Sequence, residues 1–270
     1  MHEIISNIHF IYQAKRPQVL RQLSVTSPLL AWVRSGQKRV TTEDSHYTCH
    51  TEQCIVLPAP YQFGIENIPV HQGRYFAHCI VPPTAWMDRF RQRYGDLISQ
   101  HISHNNSSAP VFDLSQTLHR QLEEFISLTE LNDPTSLDRA RVELVWQQIL
   151  LTMMYDGVGA ALFINPKESL AGTVSALINA DLARDWQSKE LAGRLNMSES
   201  TFRRKLQNEN TSFTQLLHQL RMSHAAHLLM ASSHNIQQIA LDTGYTSPSK
   251  FTSRFKQQFG LTPAALRKTL

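Results

Sequence analysis

Apolar and polar residues alternate in short runs over the first hundred residues. The runs LLAWVRS, QKRVTT, HYTCH, CIVLP, YQFGIEN and RYFAHCIV are separated by glycine, proline and acidic turn residues. Alternation with a period of two places successive side chains on opposite faces of a strand, and regularly spaced short strands are typical of a sandwich or barrel. Residues 1–100 are therefore predicted to be β-rich, with antiparallel strands.

The apolar period changes in residues 113–156, where apolar side chains recur every three or four positions. This spacing predicts two helices, separated at the run LNDP. The second helix is apolar on more than one side, with Leu144 and Ile149 among its apolar residues, so it needs two partners. One partner is the barrel, and the other is either a second subunit or further packing within the same chain. Residues 157–172 show no sustained period and are predicted to form a linker.

Two short helices are predicted to meet at a glycine turn near the end of the chain. The run NIQQIALDT precedes Gly244, and a second helix follows Ser247, with Phe251, Phe255 and Phe259 spaced four residues apart. Serine at a helix start and glycine at a turn are common boundary residues. This is the pattern of a helix-turn-helix, whose second helix enters the major groove of DNA. An ordinary corner between two helices has the same spacing.

The same pattern occurs earlier, in the run SKELAGRLNMSESTFRRKL, where Phe202 and Leu206 form the inward face and basic residues form the outward face. Between the two patterns, residues 212–232 contain neither proline nor glycine and are predicted to form one rigid helix. About twenty helical residues span roughly 30 Å, close to the roughly 34 Å between successive major-groove faces on one side of B-DNA. The repetition favours DNA binding in two adjacent major grooves over a coincidental corner.

Residues 173–270 resemble the DNA-binding domain of the AraC/XylS family of bacterial transcription regulators. The resemblance rests on LA at 191–192, IA at 239–240, GY at 244–245, FTSRFK at 251–256 and GLTP at 260–263. It implies an all-α domain of seven helices, in which a long helix joins two helix-turn-helix units, and it implies promoter DNA and RNA polymerase as partners. The implied DNA-binding residues are Ser200, Arg203, Arg204, Lys205, Ser249, Lys250, Thr252, Ser253, Arg254 and Lys256.

The two units offer different side chains to DNA. The first carries Arg203 and Arg204, and arginine matches the O6 and N7 acceptors of guanine with two donors at once. The second carries shorter side chains and the cations Lys250, Arg254 and Lys256. We therefore predict that the first unit reads most of the sequence and the second mainly adds affinity.

Charge separates the same two parts of the chain. Residues 173–270 hold 12 lysines and arginines against 6 aspartates and glutamates, whereas residues 1–172 hold 14 against 16. The positive charge that attracts phosphate is therefore local to the C-terminal part. No run approaches the roughly eighteen apolar residues of a membrane span, and the start has no uninterrupted apolar core, so a cytoplasmic location without a membrane partner is predicted.

The β-rich part resembles, more loosely, the cupin-like jelly roll with which members of this family sense small molecules. A barrel interior lined by Trp32, Arg34, Phe63, Phe76 and His78 would suit an anionic or polar organic effector. An alternative is that these aromatics are ordinary core residues, with Arg34 on the rim. His46 and His50 lack the third ligand of a cupin metal site, so no metal, cofactor or enzymatic activity is predicted.

The three cysteines, Cys49, Cys54 and Cys79, are an odd number without zinc-type spacing and are predicted to be free thiols, with redox sensing as an alternative. The chain is accordingly interpreted as a two-domain α+β transcription regulator, an activator, with a sensor or dimerisation domain at 1–156. Two alternatives stay open: a domain that only dimerises or receives a regulatory protein, and a cupin-type enzyme tethered to DNA.

Overall fold

The computed structural model describes residues 8–25, 27–59, 61–105, 110–163 and 169–270. Within these ranges the strands are β1 His9–Ala14, β2 Gln18–Val25, β3 Leu29–Ser35, β4 Gln37–Thr41, β5 His46–Cys49, β6 Gln53–Leu57, β7 Tyr61–Ile68, β8 Tyr75–Ile80 and β9 Val111–Asp113. They form two antiparallel sheets with the orders β1-β8-β3-β6-β9 and β2-β7-β4-β5. Apart from β4 and β5, which are neighbours in one sheet, the first eight strands alternate between two facing sheets as in a jelly roll, which confirms the predicted fold of the first domain.

Strand β3 shows why one of these sheets is covered on both sides. Ala31 and Val33 lie in the core between the sheets, whereas Leu30 and Trp32 lie in a separate core beneath helices. All four side chains are almost fully buried. A strand that is apolar on both faces needs a layer on each of them, and the helices of the first domain supply the second layer.

The helices of the first domain are α1 Thr84–Asn105, α2 Gln116–Thr129 and α3 Ser136–Tyr155. The two helices predicted in 113–156 are α2 and α3, and Ser115 caps α2 by accepting a hydrogen bond from the backbone N–H of Leu118 at 3.2 Å. Helix α1 was not predicted, and the expectation of a β-rich segment up to residue 100 is wrong beyond Ile80. The buried residues Trp86 and Phe90 of α1 stand four apart, and two prolines precede the helix. This spacing and the preceding prolines are a helix signal in the sequence.

Both domains extend into the predicted linker of 157–172, so the connection between them is shorter than predicted. A short 3₁₀ turn, Ala160–Phe163, packs beneath α1, and Leu162 and Phe163 are buried in the core of the first domain. Helix α4 already begins at Leu170. Part of the predicted linker, residues 164–168, lies outside the described residues.

The C-terminal domain contains, among its described residues, the seven helices that the resemblance implied. They are α4 Leu170–Asn179, α5 Ser188–Arg194, α6 Glu199–Asn208, α7 Phe213–Ala231, α8 Ile236–Asp242, α9 Pro248–Phe259 and α10 Pro263–Arg267. The predicted long helix at 212–232 is α7, capped by Ser212. Asn210 stands where the family usually has glycine, and it adopts φ 56°, a left-handed conformation that asparagine tolerates better than most residues.

The two domains dock through strand β2 and the chain end. The backbone N–H of Ser24 donates to Ser223 Oγ on α7 at 3.0 Å, and Gln258 Nε2 on α9 donates to the carbonyl of Gln22 at 3.2 Å. Gln22 sits at φ 119°, where the pairing of β2 with β7 shifts register. Strand β2 therefore connects the sandwich directly to helix α9.

Candidate nucleic-acid interface and ligand cavity

Helix α9 has one apolar and one polar face. Phe251, Phe255 and Phe259 are buried, and the ring centroids of successive pairs lie 5.9 and 4.7 Å apart. Ser247 Oγ caps the first turn, and Gly260 ends the helix in the left-handed conformation at φ 82°. Because the three rings fix the inward face, the remaining positions of α9 point to solvent.

The outward face of α9 is basic. Its exposed side chains are Ser249, Lys250, Ser253, Arg254 and Lys256, with Thr252 half-buried. Arg254 Nη1 donates to Gln257 Oε1 at 3.1 Å, and within the described ranges none of the three cations on this face forms an ion pair. Unpaired cations exposed on one helix face can bind the phosphate backbone of DNA.

Helix α6 repeats this arrangement in the first helix-turn-helix. Phe202 and Leu206 are buried, and Ser198 Oγ accepts a hydrogen bond from the backbone N–H of Thr201 at 3.2 Å. The exposed side chains include the four predicted DNA-binding residues Ser200, Arg203, Arg204 and Lys205. Both sets of predicted residues therefore lie on the outward faces of α6 and α9.

The arginines of α6 differ in their partners. Arg203 Nη2 contacts Glu199 Oε1 at 2.6 Å, and the same carboxylate accepts a hydrogen bond from Ser188. These contacts, that of Ser188 first, lower the pKa of Glu199. Arg204 makes no ion pair with any described residue, so its guanidinium is available to an external acceptor without breaking an internal contact.

Helix α7 sets the distance between the two outward faces. It runs without a break over 19 residues, which corresponds to roughly 28 Å. Gly244, at φ 77°, forms the turn of the second unit. The length of α7 is comparable to the roughly 34 Å of one turn of B-DNA.

A cavity of about 500 Å³ lies where the open end of the sandwich meets α7. Apolar walls dominate its interior, and include Tyr12, Leu57, Ile65 and Leu228, whereas Asp181 and Asp242 stand among the lining residues from the C-terminal domain. The larger cleft, of about 750 Å³, follows β1 and is lined by a mixture of residues, including exposed Lys15 and Arg74 and buried Met230. The smaller cavity is the better candidate ligand site because a buried cation faces it.

That cation is Lys38, which is 1 % exposed and was not predicted to be functional. Its Nζ donates to Asn67 Oδ1 at 2.7 Å. Burial lowers the pKa of Lys38, and the neighbouring thiols of Cys79 and Cys49 oppose this. The described partners of this ammonium, Asn67 and the Tyr75 ring 5.6 Å away, are neutral. A buried cation among neutral partners gains strongly from an anion.

The amide groups behind Lys38 form a chain that reaches the C-terminal domain. Asn67 Nδ2 donates to Gln18 Oε1 at 3.0 Å, and Gln18 Nε2 donates to Thr269 Oγ1 at 2.9 Å. Thr269 O also accepts the backbone N–H of Lys15 at 2.7 Å. A direct line of hydrogen bonds therefore joins the cavity to the end of the DNA-binding domain.

Histidines from α7 line the same cavity. His227 Nδ1 lies 3.1 Å from Tyr12 Oη, and the His224 and His227 rings are 6.0 Å apart. Burial, with a smaller contribution from His224, lowers the pKa of His227 to about 4. The His227 imidazole is therefore neutral at pH 7 and acts as a hydrogen-bonding group rather than as a cation. Burial also lowers the pKa of His224.

The effector residues predicted from the sequence do not line one interior. Only Phe63 points between the sheets. Trp32 and His78 lie on the opposite face of their sheet, and Phe76 shares that face with His78 because residues two apart on a strand do so. The expectation of a common barrel interior is therefore wrong for four of the five residues, namely Trp32, Arg34, Phe76 and His78.

Arg34 and His78 already have partners on this helix-covered face. Arg34 stacks over Trp32 at 4.1 Å and forms ion pairs with Glu52 at 3.1 Å and Glu123 at 3.7 Å. His78 Nδ1 lies 2.9 Å from His9 Nε2, and burial lowers the pKa of His78 to about 4. These contacts tie the sheet to α2.

Three further observations concern the cysteines, metal binding and membrane crossing. Cys49, Cys54 and Cys79 are free and buried, as predicted, and burial raises the pKa of Cys49 and of Cys79 to about 12. Among the described residues no group of three or more histidine, cysteine, aspartate or glutamate side chains is arranged to hold a metal ion. No helix in the described part of the chain has both the length and the apolarity to cross a membrane.

The C-terminal domain is a DNA-binding domain with two helix-turn-helix units. Residues 191–269 match the family model described as a helix-turn-helix domain, of the AraC type, which confirms the predicted resemblance. The chain is 41 % identical over 103 residues to the DNA-binding dual transcriptional regulator Rns of Escherichia coli, covering 38 % of this chain and 39 % of Rns. It is 38 % identical over 116 residues to the transcriptional regulator SirC of Salmonella typhimurium, covering 43 % and 38 % of the two chains.

The chain therefore matches about two fifths of the length of these relatives. Across both domains the fold is similar to that of ToxT from Vibrio cholerae, with a TM-score of 0.69, 17 % identity and coverage of 97 % of this chain and 98 % of ToxT. The similarity extends the common fold to the jelly roll and its helices.

Proposed function

We propose that the chain is a sequence-specific transcription regulator, an activator, whose two helix-turn-helix units bind adjacent major grooves of promoter DNA. The observation that carries this proposal is the pair of outward basic helices, α6 and α9, held at the two ends of α7. The relatives Rns and SirC are named as transcriptional regulators, and CfaD of Escherichia coli as a transcriptional activator. Activation further implies contact with RNA polymerase.

Salt titration of the full chain on duplex DNA tests this proposal. Each phosphate neutralised by lysine or arginine releases counterions, so log affinity should fall against log salt with a slope of about 0.9 per phosphate. We expect a steep fall, since both outward faces carry unpaired cations. A salt-independent affinity, or equal affinity for DNA and for an uncharged polymer, would contradict DNA binding through α6 and α9.

We further propose that the cavity takes an organic monocarboxylate with an apolar tail. Lys38 supplies an ammonium for the carboxylate, and the apolar walls supply contacts for the tail. Crystal structures of ToxT describe complexes with an unsaturated fatty acid and with (E)-4-(8-methylnaphthalen-1-yl)but-3-enoic acid, both of which are carboxylic acids. The burial of Lys38 among neutral described partners supports this ligand class over a neutral one.

The hydrogen-bond chain from Lys38 offers a route by which such a ligand controls DNA binding. A carboxylate would compete with Asn67 Oδ1 for Lys38 Nζ, and Asn67 holds Gln18, which in turn holds Thr269. Strand β2 adds a second route, because Leu23 and Ser24 line the cavity while Gln22 contacts α9. Ligand binding is thereby coupled to the position of the second helix-turn-helix.

An exposed apolar stripe on α3 favours dimerisation as a second role of the first domain. Leu137 and Leu144 are 70 % and 58 % exposed and stand one heptad apart. Leu151 follows at the same spacing but is half-buried against the helical core, and Tyr155 is exposed at the end of the helix. A heptad seam of this kind pairs with a second helix. A second subunit would supply the second partner that the apolar pattern of α3 requires. This proposal applies whether or not an effector binds.

Replacing Leu144 with Glu is expected to shift the full chain from dimer to monomer in sedimentation velocity, because it puts a charge in the centre of the stripe. The matched control is Leu97→Glu, which changes a comparably exposed leucine, 48 % exposed, on α1. A wild-type protein that sediments as a monomer at micromolar concentration, or a Leu144→Glu dimer, would rule out this seam.

A further inference from the structure

The two DNA-binding units meet at one position on α7. Leu216 and Leu220 pack in one core with α4, α5 and α6, and from Met222 onward α7 packs in another core with α8, α9 and α10. We call α4, α5, α6 and the N-terminal part of α7 the first unit. The rest of α7, with α8, α9 and α10, is the second unit. The residue between the two cores is Arg221.

Arg221 binds the first unit through its forked guanidinium. Nε donates to the carbonyl of Leu182 at 3.0 Å, and Nη2 donates to the carbonyl of Arg184 at 2.9 Å. Both carbonyls belong to the loop between α4 and α5. The planar guanidinium matches two separate acceptors in a fixed orientation, which lysine cannot do.

The same guanidinium lies against the turn of the second unit. A Cβ added to Gly244 would lie 2.6 Å from Arg221 Nη2, so a side chain there would displace the guanidinium, and the φ of 77° itself favours glycine. The guanidinium carbon is 6.0 Å from the ring centroid of Tyr245, whose Oη lies 3.0 Å from His218 Nδ1. Arg221 therefore contacts the first loop and the second turn at once.

We propose that Arg221 is a positioning residue that fixes the angle and distance between the two units and thereby sets the spacing of the two half-sites that the protein accepts. The inference rests on the proposed function, namely that both units occupy one DNA site. One inserted base pair moves a half-site by about 3.4 Å and rotates it by about a tenth of a turn. A rigid joint tolerates such a change poorly, whereas a loosened joint adapts to it.

The test measures affinity of the full chain for duplexes in which one base pair is inserted or removed between the half-sites. Wild type is expected to prefer one spacing, and Arg221→Met and Arg221→Lys are each expected to reduce that preference by about tenfold, as a looser connection between two binding modules predicts. Gly244→Ala disturbs the contact between Arg221 and the turn of the second unit, and it is expected to alter the spacing preference too. Leu220→Ala loosens the first core but keeps the joint, so it should weaken all spacings alike.

Arg221→Lys separates positioning from charge, because lysine retains the cation but not the fork. If Arg221→Lys and Arg221→Met both keep the wild-type ratio between spacings, Arg221 does not position the units. If Arg221→Lys behaves as wild type while Arg221→Met lowers the salt slope, the residue contacts phosphate instead, and the inference is wrong. A wild type that binds every spacing equally contradicts the rigid joint, whereas a wild type whose affinity is unchanged when one half-site is removed contradicts two-groove binding itself.

Discussion

Replacing Lys38 with Met is expected to abolish the response of the protein to a carboxylate ligand, so that its DNA affinity is the same with and without that ligand. The substitution removes the ammonium that faces the cavity but keeps a long apolar side chain in its place. Losing hydrogen bonds to a charged group costs about 1.5 to 3 kcal/mol, or roughly ten- to hundredfold in ligand affinity. Calorimetric titration of the full chain with a monounsaturated fatty acid measures this loss, and DNA binding with and without the fatty acid measures the response.

Arg34→Met is the matched control for Lys38→Met. It removes a cation from the same domain, but from the helix-covered face, where Glu52 and Glu123 already pair with it. We expect the Arg34 variant to keep its ligand affinity and its response. The opposite result, loss in the Arg34 variant and retention in the Lys38 variant, would place the ligand beneath α2, where the sequence-based hypothesis had Arg34 and His78.

Replacing Arg204 with Ala is expected to change which DNA sequence the protein prefers, whereas replacing Lys250 with Ala is expected to weaken all sequences alike. Arg204 projects from α6 without an internal ion pair, so it is free to contact guanine with both donors. Loss of such a contact costs about 1 to 3 kcal/mol at one base step. Loss of a phosphate contact at Lys250 instead lowers the salt slope by about one.

Selection of bound duplexes from a random pool, carried out with both variants, measures the change in sequence preference. Arg203→Ala belongs in the same experiment, because its removal frees the Glu199 carboxylate and so adds repulsion toward phosphate to any lost base contact. If the Lys250 variant selects a new sequence and the Arg204 variant selects that of wild type, the division of labour between the units is reversed.

The C-terminal domain was predictable from sequence because its signals are local. Serine caps, the glycine at 260 and the four-residue spacing of phenylalanines each act within one helix, so α7 and α9 begin and end where they were expected. Asn210 shows the limit of the resemblance, because asparagine, at φ 56°, stands where the family usually has glycine.

The ligand cavity was not predictable from the same kind of signal. Strand alternation correctly grouped Trp32 with Arg34, but β3 is apolar on both faces, so alternation alone does not say which face lies between the sheets. The run QKRVT in β4 puts Lys38 on the same face as buried Val40, which is the one local hint of a buried lysine. Its neighbours Asn67 and Gln18 lie on other strands, so only the folded sandwich brings them next to Lys38.

The most direct test of two-groove binding is a hydroxyl-radical and methylation-interference footprint of the full chain on a duplex obtained by selection. Binding by α6 and α9 predicts two contacted major-groove segments on one side of the duplex, separated by about one helical turn of 10 to 10.5 base pairs. Arg204→Ala should remove guanine interference from one segment only. A single contacted segment, or two segments on opposite sides of the duplex, would contradict simultaneous binding by the two units.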